Sequence, residues 1–478
     1  MRKSRRVAPR LWRFWLAGPG MSRETGVAFA LAAATGAAVG LAAAGFEFLI
    51  ELFRDVLMNG TGGFRPLLDS GGICEYLSRP GFWSDPSRWM LLVLPAAGAA
   101  AAALLIKWFS PFTHARGTDS AVYVYHHLKG RFSAKVIPTK AVASALVVGS
   151  GGSAGYEGPV TLIGAACGST ISRFLRPRDP SMRRLMMAVG MAAGIGALFR
   201  APLAGAIFGA EILYSGPDME YEVLLPSFTA SAIAYTVFAL FFGWDPVFAL
   251  PQAQFANGLM LLPCIVLAAV VAVGAKFYIL VFRTFEHLFG RMAMPAWKKV
   301  AVGGLMTGAI GFFFPDALGN GYHIVREAFA TASSGAAQGG LDACGLGTAG
   351  LFLALFFLKT FATSFTVGSG GSGGVFGPAL VCGASLGMAT GVFFTRFFPG
   401  CSAVPPASFA LAGMAGFVAA AVRTPVAAVI MVAELSGNHV LLLPTMWVCG
   451  IAFWLTGGWS LYRSQVRSRT ASPVHAAG

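Results

Sequence analysis

The chain has 478 residues, 56% of them apolar and only 12% charged, about half the charged fraction of an ordinary soluble domain. That is too little charge to wet the surface of two or three soluble domains, and a mean hydropathy of +0.68 agrees. The net charge of +15 does not point to nucleic acid either, because its basic residues flank a hydrophobic body instead of forming a patch.

The first segment, 1–26, carries Arg2, Lys3, Arg5, Arg6, Arg10 and Arg13. With Arg463, Arg467 and Arg469 in a short tail, 463–478, it follows the positive-inside pattern. Both ends are therefore expected in the cytoplasm, with an even number of crossings between them. Residues 12–16 mix aromatic and basic side chains as an in-plane amphipathic helix would. No apolar run and small-residue cleavage site follow the basic start directly, so a secretory signal is not expected. Apolar stretches over 27–52, 89–108, 259–282 and 346–365 are long enough to span. Those at 185–198 and 203–213 fall short of the roughly 20 helical residues a crossing needs. Short helices interrupted by glycine, arginine or proline suit a transporter or channel, where irregular backbone at membrane depth lines a cavity or is buried in protein. The 61 glycines fit the same picture, since small residues let helices approach closely in lipid. Seven scattered cysteines without metal-ligand spacing read as small hydrophobes.

An internal repeat is the strongest signal. GSGGSAGYEGPVTLIGAACG, residues 149–168, aligns without gaps on GSGGSGGVFGPALVCGASLG, residues 368–387, and 11 of the 20 positions are identical. The same offset of 219 places Lys140 on Lys359, and an offset of 223 places RAPLAGAIFGAE, 200–211, on RTPVAAVIMVAE, 423–434. Two homologous halves follow, 27–242 and 259–462, joined by a linker, 243–258. An odd number of membrane elements per half would invert one half against the other.

Each repeated glycine loop runs into an apolar helix with Pro159 or Pro378 in its first turn, where the missing N–H is tolerated. Glycines there permit tight turns and close backbone approach. The bared N–H groups and positive dipole ends make each helix start an anion site, and inverted halves would aim both at one point near the midplane. A small anion is the expected substrate. Glu157 lies inside the first loop, where its carboxylate would compete with that anion. Ionised, it occupies the anion position; protonated, it leaves, so it reads as a pH-dependent gate. The plainer alternative is a glutamate capping its own helix.

These residues resemble the CLC family of chloride channels and chloride/proton antiporters from Val27 to Tyr462. Gly155-Tyr156-Glu157-Gly158-Pro159 is similar to the family's gating-glutamate motif, and Gly374-Val375-Phe376-Gly377-Pro378 to its second anion motif. Arg200-Ala201-Pro202, Glu434 and Leu461-Tyr462 follow in the family's order. The resemblance implies an all-α polytopic fold of two inverted-topology repeats of broken, tilted helices. It also implies a homodimer with one pore per subunit, surrounded by lipid in a bacterial inner membrane. It makes Glu157 the external gate and proton carrier, places Gly155, Tyr156 and the N–H groups of Val375 and Phe376 around the central anion, and lets the Tyr462 hydroxyl donate to it. By itself Tyr462 would read as an interfacial tyrosine.

Two positions depart from the family pattern. The serine of the first anion motif is replaced by Arg116. Its guanidinium could bind the anion directly and alter selectivity among chloride, nitrate and fluoride, or snorkel toward the cytoplasmic mouth. The inner acid of the antiporters, next to the position of Glu211, is here Ile212, which carries no proton and favours a passive channel. Exchange would then need a water chain near Glu211. The matching positions of Glu211 and Glu434 suggest a structural role, such as pairing with backbone N–H groups. Lys140 and Lys359 read as structural residues at helix starts. The adjacent His126 and His127 face different ways, so no metal site is expected. No phosphate-binding loop ending occurs, and no cofactor, enzyme activity or nucleic-acid partner is expected. The short tail resembles the minimal form of the family, without nucleotide-sensing modules.

Overall fold

The computed structural model describes residues 23–63, 86–109, 117–175, 179–248, 261–326, 328–329, 346–398 and 405–475. The expected in-plane helix at 12–16, Arg116, and the linker from 249 onward lie outside these. Fifteen helices of ten or more residues are described, and no sheet accompanies them among the described residues. In the first half these are α1 (Arg23–Arg54), α2 (Pro86–Phe109), α3 (Thr118–His127), α4 (Val136–Gly149), α5 (Glu157–Leu175), α6 (Pro180–Leu198), α7 (Pro202–Glu211) and α8 (Tyr221–Phe242). The second contains α9 (Leu261–Arg291), α10 (Ala296–Phe313), α11 (Leu346–Gly368), α12 (Phe376–Phe397), α13 (Pro406–Ala421), α14 (Pro425–Ser436) and α15 (Leu442–Thr456).

Seven helical stretches among the described residues are long and apolar enough to cross a membrane. They include the stretches expected at 27–52, 89–108 and 346–365, and that at 259–282 from residue 261 onward, within 24–61, 88–109, 346–368 and 261–291. The short run at 185–198 belongs to the 19-residue α6, whose first turn is set by Pro180 and by Asp179 Oδ1 accepting the Met182 N–H at 2.9 Å. The run at 203–213 forms the ten-residue α7. Proline likewise opens α7, α13 and α14. In α13 every residue from Ala407 to Ala421 is buried, so this helix is enclosed by protein on all sides. Small residues make such packing possible. At the contact of α5 and α6, the space a Gly164 side chain would need holds the Gly190 carbonyl, and the reverse holds for Gly190.

The two halves exchange equivalent contacts. Ser144 Oγ lies 2.9 Å from Ser372 Oγ, and the counterparts of these two residues, Thr363 and Ser153, bond at 3.0 Å. Glu211, at the end of α7, accepts the N–H groups of Val426 and Ala427 in the first turn of α14, at 3.0 and 2.8 Å. Glu434, near the end of α14, accepts those of Leu203 and Ala204 in the first turn of α7, at 3.1 and 2.8 Å. Contacts in which i meets j while j′ meets i′ define a two-fold relation. Since each of α7 and α14 ends where the other begins, they run antiparallel, and the halves are inverted repeats.

The same symmetry extends to strained backbone. Arg200 and Arg423 occupy matching positions with φ of 53° and 69°, a region unfavourable for a residue with a Cβ. Hydrogen bonds offset the strain. Arg200 donates to the carbonyls of Asp245 and Phe242 at 2.6 and 2.8 Å, and Arg423 to those of Ser215 and Phe453 at 2.9 and 2.7 Å.

One expectation is corrected here. Lys140 sits in the second turn of α4, but its counterpart Lys359 lies in the middle of α11, because the apolar run before it extends that helix back to Leu346. Its ammonium donates to the carbonyls of Ala317 and Gly319, at 3.1 and 2.7 Å, in the turn after α10.

Replacing Glu211 or Glu434 by alanine strips two N–H groups of a charged acceptor. Each variant is expected to lose about 2–4 kcal/mol of stability, read as a lower melting temperature in detergent, with Glu211, the more deeply buried, losing more.

Candidate functional site

The repeated loops turn at Gly151 and Gly370, equivalent positions with φ of 98° and 105°, which glycine adopts without steric cost. They then meet in a two-residue antiparallel bridge. Gly155 N–H donates to Gly374 O at 2.8 Å, and Gly374 N–H to Gly155 O at 2.9 Å. Gly155 and Gly374 are equivalent, so the bridge lies on the pseudo-two-fold axis. It sets the N-termini of α5 and α12 head to head. A third helix start joins them, since Gly117, just before α3, packs on the backbone of Gly158, and Gly158 on that of Gly374. A Cβ on Gly158 would lie 2.8 Å from the Gly374 Cα, so only glycine permits this approach.

Glu157 is the first residue of α5, yet its carboxylate reaches the other half. Oε2 accepts the Gly377 N–H, in the first turn of α12, at 2.9 Å. Oε1 accepts the hydroxyl of Tyr322. The side chain is buried and feels the ammonium of Lys359. A carboxylate group thus sits on the α12 terminus, where an anion is expected, and the glutamate caps the facing helix as well as lying at the start of its own.

The other expected residues distribute around it. Val375 caps α12 and Phe376 begins it, so their N–H groups belong to the turn that lacks intrahelical acceptors. The Val375 carbonyl accepts the Tyr278 hydroxyl at 3.2 Å. The Phe376 ring packs on Phe199 and Phe208, each with its centroid 5.7 Å away. Tyr462 is buried. Its hydroxyl has no hydrogen-bond partner among the described residues, with Thr118 of α3 as its polar neighbour. Gly155 is held in the bridge, and the Tyr156 ring meets that of Tyr322 edge to face at 6.2 Å. Ile212 is buried at the end of α7, and its carbonyl accepts from Gln465 Nε2 at 2.9 Å. With Glu211 committed to the α14 N-terminus, neither residue presents a free carboxylate here.

A cavity of about 570 Å³ lies beside Glu157, lined among others by Glu47, Arg54, Arg200, His323 and Arg326, with Tyr156 and Tyr322, the neighbours of Glu157, also in its wall. Sequence reasoning missed Tyr322 and Glu47. Tyr322 belongs to neither repeated motif, and nothing in a lone Gly-Asn-Gly-Tyr run announces a contact 165 residues away. Among the described residues no group of three or more His, Cys, Asp or Glu side chains is arranged to hold a metal. His126 is instead buried between Ser472 Oγ and the Leu213 carbonyl, at 2.9 and 3.0 Å.

Helix N-termini that converge on a buried carboxylate, at the axis of two inverted halves, define a polytopic membrane protein whose centre favours negative charge. Residues 98–457 match the family model described as voltage gated chloride channel. The chain belongs to that family, the CLC proteins. It is 31% identical over 389 residues to a putative chloride channel protein ClcB-like of Ralstonia nicotianae, covering 80% of this chain and 86% of that protein. It is 30% identical over 408 residues to an H(+)/Cl(-) exchange transporter ClcA of Yersinia pestis, covering 82% of each. The structure of a CLC-type fluoride/proton antiporter superposes with a TM-score of 0.74 at 20% identity, over 94% of this chain and 99% of that one, and shares the fold.

Because the Tyr462 hydroxyl makes no well-formed hydrogen bond among the described residues, only its approach to Thr118, Tyr462→Phe is expected to leave the melting temperature of the anion-free protein unchanged or raised. A fall of several degrees would show that the hydroxyl is bonded within the protein.

Proposed function

We propose that this protein is a secondary transporter that exchanges a small anion, chloride first, for protons, with Glu157 as external gate and proton carrier. One observation carries the reading: the Glu157 carboxylate occupies the α12 N-terminus, accepting the Gly377 N–H. An anion offered the same N–H groups must displace it. When Glu157 takes up a proton its negative charge is gone, its claim on the helix terminus weakens, and the anion enters. Anion and proton then alternate at one position, which is what coupling requires. The energies suit a gate. Charge-assisted hydrogen bonds contribute about 1.5–3 kcal/mol each, and carboxylate desolvation opposes them by several kcal/mol. The closed state is therefore held by a small difference that one proton can reverse.

In this reading the cavity beside Tyr156 and Tyr322 faces outward, and its Arg54, Arg200 and Arg326 attract anions. Both termini lie in the cytoplasm of a bacterium, and the protein works as a homodimer in the inner membrane. A second reading, a passive channel of the same fold, is favoured by Ile212, which is buried and apolar where an inner proton acceptor is expected. Exchange then draws its protons through water near Glu211. Nitrate and fluoride remain alternatives to chloride, because Arg116 replaces the serine of the first anion motif.

Flux in sealed liposomes decides between them. An imposed chloride gradient is expected to drive protons uphill, and Glu157→Ala to abolish proton movement while anion flux continues. Uncoupled anion current from the unmodified protein would establish the channel. Arg116→Ser is expected to change the order of preference among chloride, nitrate and fluoride, measured by competition in the same liposomes.

A further inference from the structure

Tyr322 is held on every side. Its turn, Gly319 to Gly321, is stitched to the first repeated loop, with Gly319 N–H donating to Gly151 O and Ala154 N–H to Gly319 O, both at 3.3 Å. Lys359 clamps the same turn through the carbonyls of Ala317 and Gly319. Asn320 Oδ1 accepts the Tyr322 N–H at 3.2 Å. The ring lies edge to face with Tyr156 at 6.2 Å and with Phe248 at 5.6 Å. These contacts leave the hydroxyl one direction, onto Glu157 Oε1.

We propose that Tyr322 is a positioning residue for the gate, whose hydroxyl latches the ionised Glu157 carboxylate onto the α12 terminus and lets it go on protonation. The inference rests on the reading of Glu157 as the gate. Its physical basis is that the two oxygens are served by different donors, Gly377 N–H on Oε2 and the Tyr322 hydroxyl on Oε1. Only the ionised form accepts both bonds fully. A protonated acid is a much weaker acceptor than a carboxylate, and its hydroxyl oxygen the weaker of the two, so the charge-assisted bond from the Tyr322 hydroxyl is weakened by the proton's arrival. The latch is therefore selective for the closed, charged state and adds to the energy an incoming proton must overcome. Other charged or titratable groups act on the carboxylate from the surrounding elements: Lys359 on α11, Glu47 on α1, Tyr278 on α9, Tyr156 before α5, and Tyr462 beyond α15. Among the described residues, Tyr322 is the side chain that donates a hydrogen bond to the carboxylate.

The test is anion flux in proteoliposomes as a function of pH. Protonation opens the gate, so removing a donor from the ionised form lets the gate open at lower proton concentration. Tyr322→Phe is expected to move the half-maximal pH upward by about one unit, a roughly tenfold change in proton concentration. In a Glu157→Gln background the same substitution is expected to change nothing, since the group it acts on no longer ionises. Asn320→Ala, which frees the Tyr322 backbone without touching the carboxylate, is expected to shift the profile the same way by less. No shift with Glu157 present, or an equal change in both backgrounds, would overturn the latch while leaving the gate reading intact. A Glu157→Gln protein that keeps the unmodified pH profile would instead overturn the gate reading, and the latch with it.

Discussion

Two hydrogen bonds between Gly155 and Gly374 hold the N-termini of α5 and α12 face to face, and α3 begins against them. Each helix start carries about half a positive charge, so three of them in one buried place repel unless something negative lies between. Lys359 adds to that field. The geometry therefore demands an anion, and in this structure the Glu157 carboxylate meets the demand. Glycine at 117, 158 and 374 is the condition for the arrangement, because a single Cβ would push the helix starts apart. A site of this kind is never indifferent to what occupies it.

Three carboxylates in the protein do related work with different consequences. Glu211 and Glu434 cap helices across the two-fold axis, each through a pair of N–H groups. They tie one half to the other through equivalent hydrogen bonds. Glu157 also crosses to the opposite half, but its counterpart in the second repeat is Phe376, so symmetry is broken at the centre. It also stands beside an open cavity, through the wall formed by Tyr156 and Tyr322. A capping acid with somewhere to go can act as a switch; one enclosed between two helix ends acts as a fastening. That difference explains how a repeat-built scaffold supports a single asymmetric site.

Much of the site was legible because it is local and repeated. The glycine loops, the prolines that open helices and the misplaced acid at 157 are contiguous, and the second copy of the motif separates signal from composition. The pairing of Glu211 and Glu434 was legible in outline for the same reason, while the choice of N–H groups was not. Lys359 was read as a helix-start residue because its counterpart Lys140 is near one. The α11 helix begins earlier than α4, so the same sequence position falls mid-helix. Tyr322 left no trace at all, since a tyrosine among apolar residues looks alike whether its hydroxyl meets a gate, a carbonyl or a membrane interface.

By itself the sequence determined a membrane protein of two homologous halves, the family it belongs to, and the loops that present helix N-termini, because apolar length, internal repetition and glycine-proline spacing are properties of neighbours along the chain. Only the tertiary structure decided that the halves are inverted, that Glu157 reaches the opposite helix, and that Tyr322 completes its hydrogen bonds. Those facts depend on which distant segments touch, and for small, apolar residues many partners are chemically equivalent until the two-fold packing selects one.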